Sequence, residues 1–419
     1  MRRRVVLGAV VTAPLLVACG EVARDGAPEL RLEAAWRVPV RTRIEGLPGR
    51  VRVVGDSVIL VDGTGAEKVR VACFNAADGK QVWQIDDERQ LSVPGVGEVR
   101  LCVVGRGAYE SPDVIQEPTV GCAGDILPIS FVADRNAKTS SGIVGVDVHD
   151  GRPVWGFRAV SDASTDRTMV TAVAGSVVLA TVSAPYGPDW PERRPTTLAL
   201  DAGSGRELWR GDGVIGLAGD GESVVVAKVT DGGWRPEVRD ARSGTPRWTG
   251  KHPIDGPYQH VSTVADHTVL STKDRRVTDI VRLSTGTQLD FEADAPPGLV
   301  ASNPPMLVWD SGVAWWAKGP NGFVTQTLPK GSPTKGKKRP KGLEFHALYG
   351  AGPYIWGEYK TTQESGDHDD LAGTIAVDRT GRPRSATQPG AVLADVSERW
   401  LVVGKNGYVE VQRITPKAS

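Results

Sequence analysis

The chain carries no excess of charge of either sign: 50 Lys and Arg face 50 Asp and Glu over 419 residues. A protein that tracks nucleic acid presents a net basic face to the phosphates, so nucleic acid is excluded as the main partner. Histidine is scarce, six residues in all, and no H-x-x-x-H or H-E-x-x-H pattern occurs. The helical zinc signatures are therefore missing. No Gly-rich phosphate loop lies between a strand and a helix, and no G-x-S-x-G elbow is present. Cysteine occurs only at positions 19, 73, 102 and 122, with no two adjacent and no metal-ligand spacing. Long apolar runs are missing too. The stretch 5–17 is too short to span a bilayer as a mature helix.

What is abundant is Gly (50 residues) and Pro (29), with twelve Trp against six Phe. That composition suits a turn-rich all-β chain that uses Trp at fixed positions. Four segments share one plan: 74–83 (FNAADGKQVW), 146–155 (VDVHDGRPVW), 200–209 (LDAGSGRELW) and 239–248 (RDARSGTPRW). In each, an Asx (Asn75, Asp147, Asp201, Asp240) precedes a Gly (Gly79, Gly151, Gly205, Gly244) by four residues. A Trp (Trp83, Trp155, Trp209, Trp248) follows that Gly by four. Asx side chains fold back onto their own backbone, and Gly supplies positive φ, so the plan reads as a hairpin turn. The Trp on the returning strand is expected to fill the wedge between neighbouring sheets.

A second signal repeats out of phase, a polar turn followed by an apolar run. The runs begin at residues 58, 108, 177, 224, 269, 313, 354 and 400. The spacing fits eight units the size of a four-stranded propeller blade, with seven as the alternative. The runs are apolar at consecutive positions, as expected for strands covered on both faces. The interval of 69 between the second and third runs places an insertion at 110–142. Later units decay: Asp290 and Ser385 stand where Trp is expected. The last unit, 392–414, offers three strands. The segment 30–38, with Trp36, reads as the outer strand that completes it and removes the free sheet edges. The body is thus expected to be a single closed propeller over residues 30–416.

The turn-plus-Trp plan resembles the quinoprotein-type repeat A-x-D-x-x-x-G-x-x-x-W of pyrroloquinoline quinone (PQQ) dehydrogenase propellers. Bacterial lipoproteins share that repeat, among them the propeller subunit of the outer-membrane β-barrel assembly machinery. The resemblance is clear over 56–252 and degenerate beyond. It implies a propeller and leaves activity open. A quinoprotein dehydrogenase implies a Ca²⁺ beside the quinone, an Asp base and often two adjacent cysteines, and this chain has no adjacent pair. The expectation is therefore a non-catalytic protein without cofactor or metal.

The N-terminus has the charge and apolar pattern of an export signal: Arg2, Arg3 and Arg4, then 5–17, then Leu16-Val17-Ala18-Cys19. It resembles a bacterial lipoprotein signal peptide, and Arg3-Arg4 also resembles a twin-arginine signal. The lipoprotein resemblance implies a signal peptide over 1–18, lipidation of Cys19 and a tether over 19–29. Each buried methylene contributes about 0.8 kcal/mol, so a multiply acylated Cys19 holds a soluble body at the outer face of a cell membrane. In that setting one disulfide is expected, Cys102–Cys122, with Cys73–Cys102 as runner-up. The expected role is a lipid-anchored, monomeric, protein-binding platform of the cell envelope, with Tyr186, Trp190 and Tyr258 as candidate anchors. A cell-wall or carbohydrate binder is the alternative. The basic run 329–342 is expected to be a solvated loop or a contact with anionic polymer. The group Glu364, Asp367, His368, Asp369 and Asp370 lacks calcium-loop spacing and reads as a hairpin tip.

Overall fold

A computed structural model describes residues 27–417, apart from 42–49, 64–68, 87–90, 103–120, 136–137, 161–166, 184–193, 232, 252–260, 265–266, 272–276, 290–305, 310–311, 317–322, 328–333, 336–342, 352, 362–370 and 379–381. Among the described residues every element is a strand, and the strands form antiparallel sheets, four-stranded with one exception. The first sheet shows the plan: Val51–Val54, Ser57–Gly63, Val69–Asn75 and Gln81–Ile85, each paired with the next. The third sheet (Arg167–Ala174, Val177–Ser183, Thr196–Asp201, Glu207–Asp212) and the fourth (Val214–Asp220, Ser223–Thr230, Gly233–Asp240, Pro246–Thr249) repeat it. The fifth, sixth and seventh begin at Val261, Met306 and Leu343.

The last sheet joins the two ends of the chain. Val392–Val396, Trp400–Lys405 and Tyr408–Pro416 are followed in space by Leu30–Pro39, paired from Leu30↔Pro416 to Pro39↔Tyr408. Trp36 lies in this joining strand, opposite Val411.

The second sheet departs from the expected boundaries. Its strands are Gly97–Leu101, Ile126–Arg135, Lys138–Asp147 and Pro153–Val160, with Leu91–Val93 paired onto the first of them. The turn that precedes its apolar run is Gly124-Asp125, and the run starts at Ile126. The expected run at Ala108-Tyr109 lies outside the described residues. The expected insertion at 110–142 is corrected accordingly: residues 126–135 and 138–142 are ladder strands. The reading failed because a GRG turn and a short apolar pair mimic the real signal 18 residues early, a run at 108 against one at 126.

The sheets pack face to face, and alternate residues of one strand serve opposite neighbours. On the first sheet Ile59 packs with Phe131, Val144 and Val146 of the second. Its neighbour Leu60 packs with Trp400, Val402 and Val411 of the last. On the third sheet Val178 faces Ile143 and Trp155, while Leu179 faces Val224 and Val226. Trp356 and Ala376 of the seventh sheet meet Leu393 and Leu401 of the last. Each such side chain is fully buried and contributes about 1.5–3 kcal/mol. This two-sided covering is the reason the runs do not alternate. A stack of twisted sheets joined in this order is a β-propeller.

Candidate functional site

The repeat residues converge on one end of the strands. In the four turns the Asx carbonyl accepts the Gly N–H at 2.8–2.9 Å. The Asx side chain closes the same turn: Asn75 Oδ1 accepts from Ala77 N, Asp147 Oδ1 from His149 N, Asp201 Oδ1 from Ser204 N and Asp240 Oδ1 from Ser243 N. Hydrogen bonds from the Ser204 hydroxyl and from the Ser243 N–H hold the Asp201 and Asp240 carboxyls below the usual carboxylate range.

The tryptophans do more than fill a wedge. Trp36 Nε1 donates to Ala76 O at 2.9 Å, Trp83 to Val148 O at 2.6 Å, Trp155 to Ala202 O at 2.6 Å and Trp209 to Ala241 O at 2.8 Å. Each acceptor is the residue after the Asx of the next sheet's turn. The indole also lies flat on that turn's Gly. A Cβ added at Gly79, Gly151, Gly205 or Gly244 would stand 2.5–2.9 Å from the ring of Trp36, Trp83, Trp155 or Trp209 respectively. The Gly is therefore required twice, for φ of 68–73° and for a landing surface. The second requirement was hidden in the sequence, because the Trp that needs each Gly belongs to the preceding unit.

Trp248 breaks the series. It packs partly buried beside Val281 and Leu283, but the next turn, Arg282 to Gly286, is met by Arg247. The Arg247 backbone lies against Gly286, and its guanidinium donates to Ser284 O and to Ser223 Oγ. The Leu283 carbonyl, the position that accepts an indole elsewhere, takes the Ser223 hydroxyl at 2.7 Å. Trp248 thus contributes packing, without the indole hydrogen bond of the other four. In the seventh sheet Ser385, standing where Trp is expected, accepts from Ala376 N through Oγ, and Arg384 pairs with the nearly buried Asp378 at 2.6 Å.

The expected Cys102–Cys122 disulfide is not formed: none of Cys73, Cys102 and Cys122 is in a disulfide. The backbone gives the reason. Cys102 N donates to Ser130 O, midway along Ile126–Arg135, whereas Cys122 adjoins the Ala123–Ile126 turn at the start of that strand. Four residues of strand separate them, about 13 Å, beyond the roughly 7 Å that a disulfide spans. The runner-up Cys73–Cys102 is likewise unformed. Cys122 packs instead on the cluster that contains Cys73, and burial pushes its thiol up to about 12.

Two carboxylates, Asp62 fully buried and Asp395 partly so, escaped the sequence reading, because each sits inside an apolar run. Asp62, fully buried, accepts from Arg41 N at 2.9 and 3.1 Å and from Arg70 at 2.7 Å, fastening the end of the closing strand to the first sheet. Asp395 accepts from Val53 N at 2.6 Å and lies 3.6 Å from Arg52, joining the last sheet to the first. Burial raises the Asp395 carboxyl, against the pull of Arg52. A raised folded value means the contribution is complete below the unfolded value and is lost as pH rises through the folded one. Asp395→Asn keeps an acceptor for Val53 N without the buried charge. It is expected to melt higher than the parent at pH 8 and to converge with it by pH 4, as read by thermal unfolding across pH. A variant that melts lower at pH 8 would show that ionised Asp395 stabilises the junction.

Among the described residues no group of His, Cys, Asp and Glu is arranged to hold a metal ion. An open cavity of about 330 Å³ is lined by Asp220, Gly221, Glu222, Ser223, Arg247 and Ser284. Its Arg247 is already engaged by Asp240 at 2.6 Å. No helix is long and apolar enough to cross a membrane among the described residues. Cys19, Tyr186, Trp190, Tyr258 and the group 364–370 lie outside the described residues, as does most of the run 329–342.

Turn chemistry and indole docking of this kind define a propeller similar to those built on the PQQ-type repeat. No family model matches the chain, and no curated protein matches it. Among solved structures it is similar to BamB from Moraxella catarrhalis, at 16% identity and a TM-score of 0.48, covering 93% of this chain and 99% of that one. It is also similar to the quinohemoprotein alcohol dehydrogenase from Comamonas testosteroni, at 12% identity and a TM-score of 0.48, covering 93% and 77%. The β-propeller domain of the Trilobed protease from Pyrococcus furiosus, with an open velcro topology, is 9% identical with a TM-score of 0.41, covering 81% and 93%.

Proposed function

We propose that this chain is an extracytoplasmic lipoprotein, acylated at Cys19, whose sheets are the eight blades of one closed ring. The ring over residues 30–416 serves as a non-catalytic, monomeric platform for an envelope protein. The observation that carries the reading is the fate of the repeat residues. The Asx carboxyls and amides close their own turns, and four indoles are committed to neighbouring turns. The groups that make the repeat look like a quinone-enzyme signature are thus used up by architecture. What such a ring offers a partner is a rigid end surface of loops, the usual place for contacts.

Crosslinking in intact cells, followed by capture from native membranes, tests the platform, with Cys19→Ala as the control for the anchor. The acylated protein is expected in the membrane fraction with one enriched partner. Cys19→Ala is expected to shift at least nine-tenths of it to the soluble fraction, since a single polar tether gives no residual insertion. Unchanged membrane retention would overturn the anchor. Saturable binding of PQQ with Ca²⁺, accompanied by dye reduction, would overturn the non-catalytic reading.

A further inference from the structure

We infer that the ring hangs with its turn face toward the bilayer. This inference rests on the acylation of Cys19 proposed above, and it follows from where the chain enters the body. The described Asx–Gly turns and the described turns between the first and second strands of a sheet lie at one end of the strands. Ala76 N donates to Asp56 O, Val148 N to Asp125 O, Ala202 N to Ser176 O and Ala241 N to Glu222 O, linking the two kinds of turn in four sheets. In the last sheet the Asx–Gly turn is replaced by the gap between Pro416 and Leu30. The chain therefore enters the ring at a turn position. Arg399 and Asp56, paired at 3.0 Å, mark the same end of the last and first sheets.

The entry point is fixed on that face. Lys417 Nζ pairs with Glu29 at 2.7 Å, and Lys417 N donates to Glu29 O. Leu30 N donates to Arg384 O, and the Tyr354 hydroxyl donates to Pro28 O at 3.0 Å. These contacts hold residues 28–30 against the seventh and last sheets at the turn end. Ten residues, 20–29, separate Cys19 from Leu30, and they reach at most about 35 Å when fully extended. A strand of eight residues, such as Ser223–Thr230, makes the ring roughly 27 Å deep. The tether lets the turn face approach the headgroups, whereas an inverted pose must lay it along nearly the full depth of the ring, at a cost in chain entropy.

The charges on the turn face agree with suspension rather than adsorption. Lys80 pairs with Asp78, Arg152 with Asp150, Arg242 with Asp201, Arg247 with Asp240 and Lys417 with Glu29. Matching these cations with acids weakens the pull of the described part of the face toward anionic lipid. The acyl chains hold the molecule, and the geometry of entry orients it. The end marked by Asp212, Gly213, Asp231 and Gly407 is then the end that faces the aqueous side.

Energy transfer to acceptor-labelled lipid headgroups tests the orientation. A fluorescent amino acid is placed singly at Ala77 or Arg206, exposed on the turn face, and at Asp212 or Asp231, exposed on the other. The full-length acylated protein is reconstituted in phosphatidylcholine vesicles. A second arm couples the chain beginning at Cys19 to a maleimide lipid. Cys73 and Cys102 are buried, and the Cys122 thiol is pushed up to about 12, so Cys19 is the reactive site. Transfer from Ala77 and Arg206 is expected to exceed that from Asp212 and Asp231 at least twofold in both arms. Equal transfer from the two faces, the signature of an edge-on ring, would overturn the inference, and so would the reverse order. If the cellular protein proves unacylated, the maleimide arm still reports the orientation, so the two failures are separable.

Discussion

Gly205→Ala is expected to destabilise the protein by about 2–4 kcal/mol, whereas the chemically identical Gly221→Ala costs only about 1 kcal/mol. Both glycines have positive φ, 68° and 54°. A Cβ at Gly221 would meet nothing within 4 Å, so only the backbone strain is felt there. A Cβ at Gly205 would stand 2.5 Å from the Trp155 ring, so the indole must leave its place. Trp155 is buried and its Nε1 is engaged by Ala202 O. Truncating it, Trp155→Ala, is expected to cost about 3–5 kcal/mol, because a large cavity opens and a carbonyl loses its donor. The two sites must then be coupled. In the Trp155→Ala background the Gly205→Ala cost should fall to about 1 kcal/mol. Denaturant unfolding of the four proteins reads the cycle. Equal costs for Gly205→Ala and Gly221→Ala would show that the glycine serves the turn alone.

Removal of residues 1–41 is expected to abolish cooperative folding at 37 °C, and a peptide of residues 28–41 supplied in trans is expected to restore it. The strand Leu30–Pro39 buries Leu30 completely and packs Leu32, Trp36 and Val38 partly. At about 1.5–3 kcal/mol for a buried side chain, the loss approaches the whole stability of a typical domain, about 5–15 kcal/mol. Removal also bares the edge of Tyr408–Pro416, a template for wrong pairing. It strips one donor, Arg41 N, from the neighbourhood of Asp62. Circular dichroism melts with and without the peptide, with a Trp36→Ala peptide as comparison, read the result. A sharp melt of the truncated chain without peptide would show that the last sheet is dispensable.

The strand plan was legible because burial on both faces leaves a coarse mark. Runs such as 177–180 and 400–403 have no polar residue to place, and each proved to be the second strand of a sheet. Trp36 was legible by elimination, since the last unit lacked a strand and a docking residue. The second unit was misread because its first and second strands are separated by 102–125, and the local signal at Gly124-Asp125 is weaker than the decoy upstream. Docking of Trp onto the next unit's Gly and carbonyl was not legible, because a linear reading pairs each Trp with the Gly four residues before it. Geometry pairs it instead with a Gly far along the chain, as Trp36–Gly79 and Trp155–Gly205 show. Cysteine pairing failed for a related reason: proximity in the chain between 102 and 122 says nothing about which points along the neighbouring strand they reach.

The strand that joins the chain's two ends is also the strand into which residues 27–29 run. Any load on that leading segment is therefore delivered directly to the seam. Pulled along the strand, the nine residue pairs from Leu30↔Pro416 to Pro39↔Tyr408 resist together, as fibres in shear. Pulled sideways, they separate in succession, starting from Leu30. The body is thus mechanically anisotropic: stiff toward a load normal to its turn face and weak toward one that peels the strand from its rim.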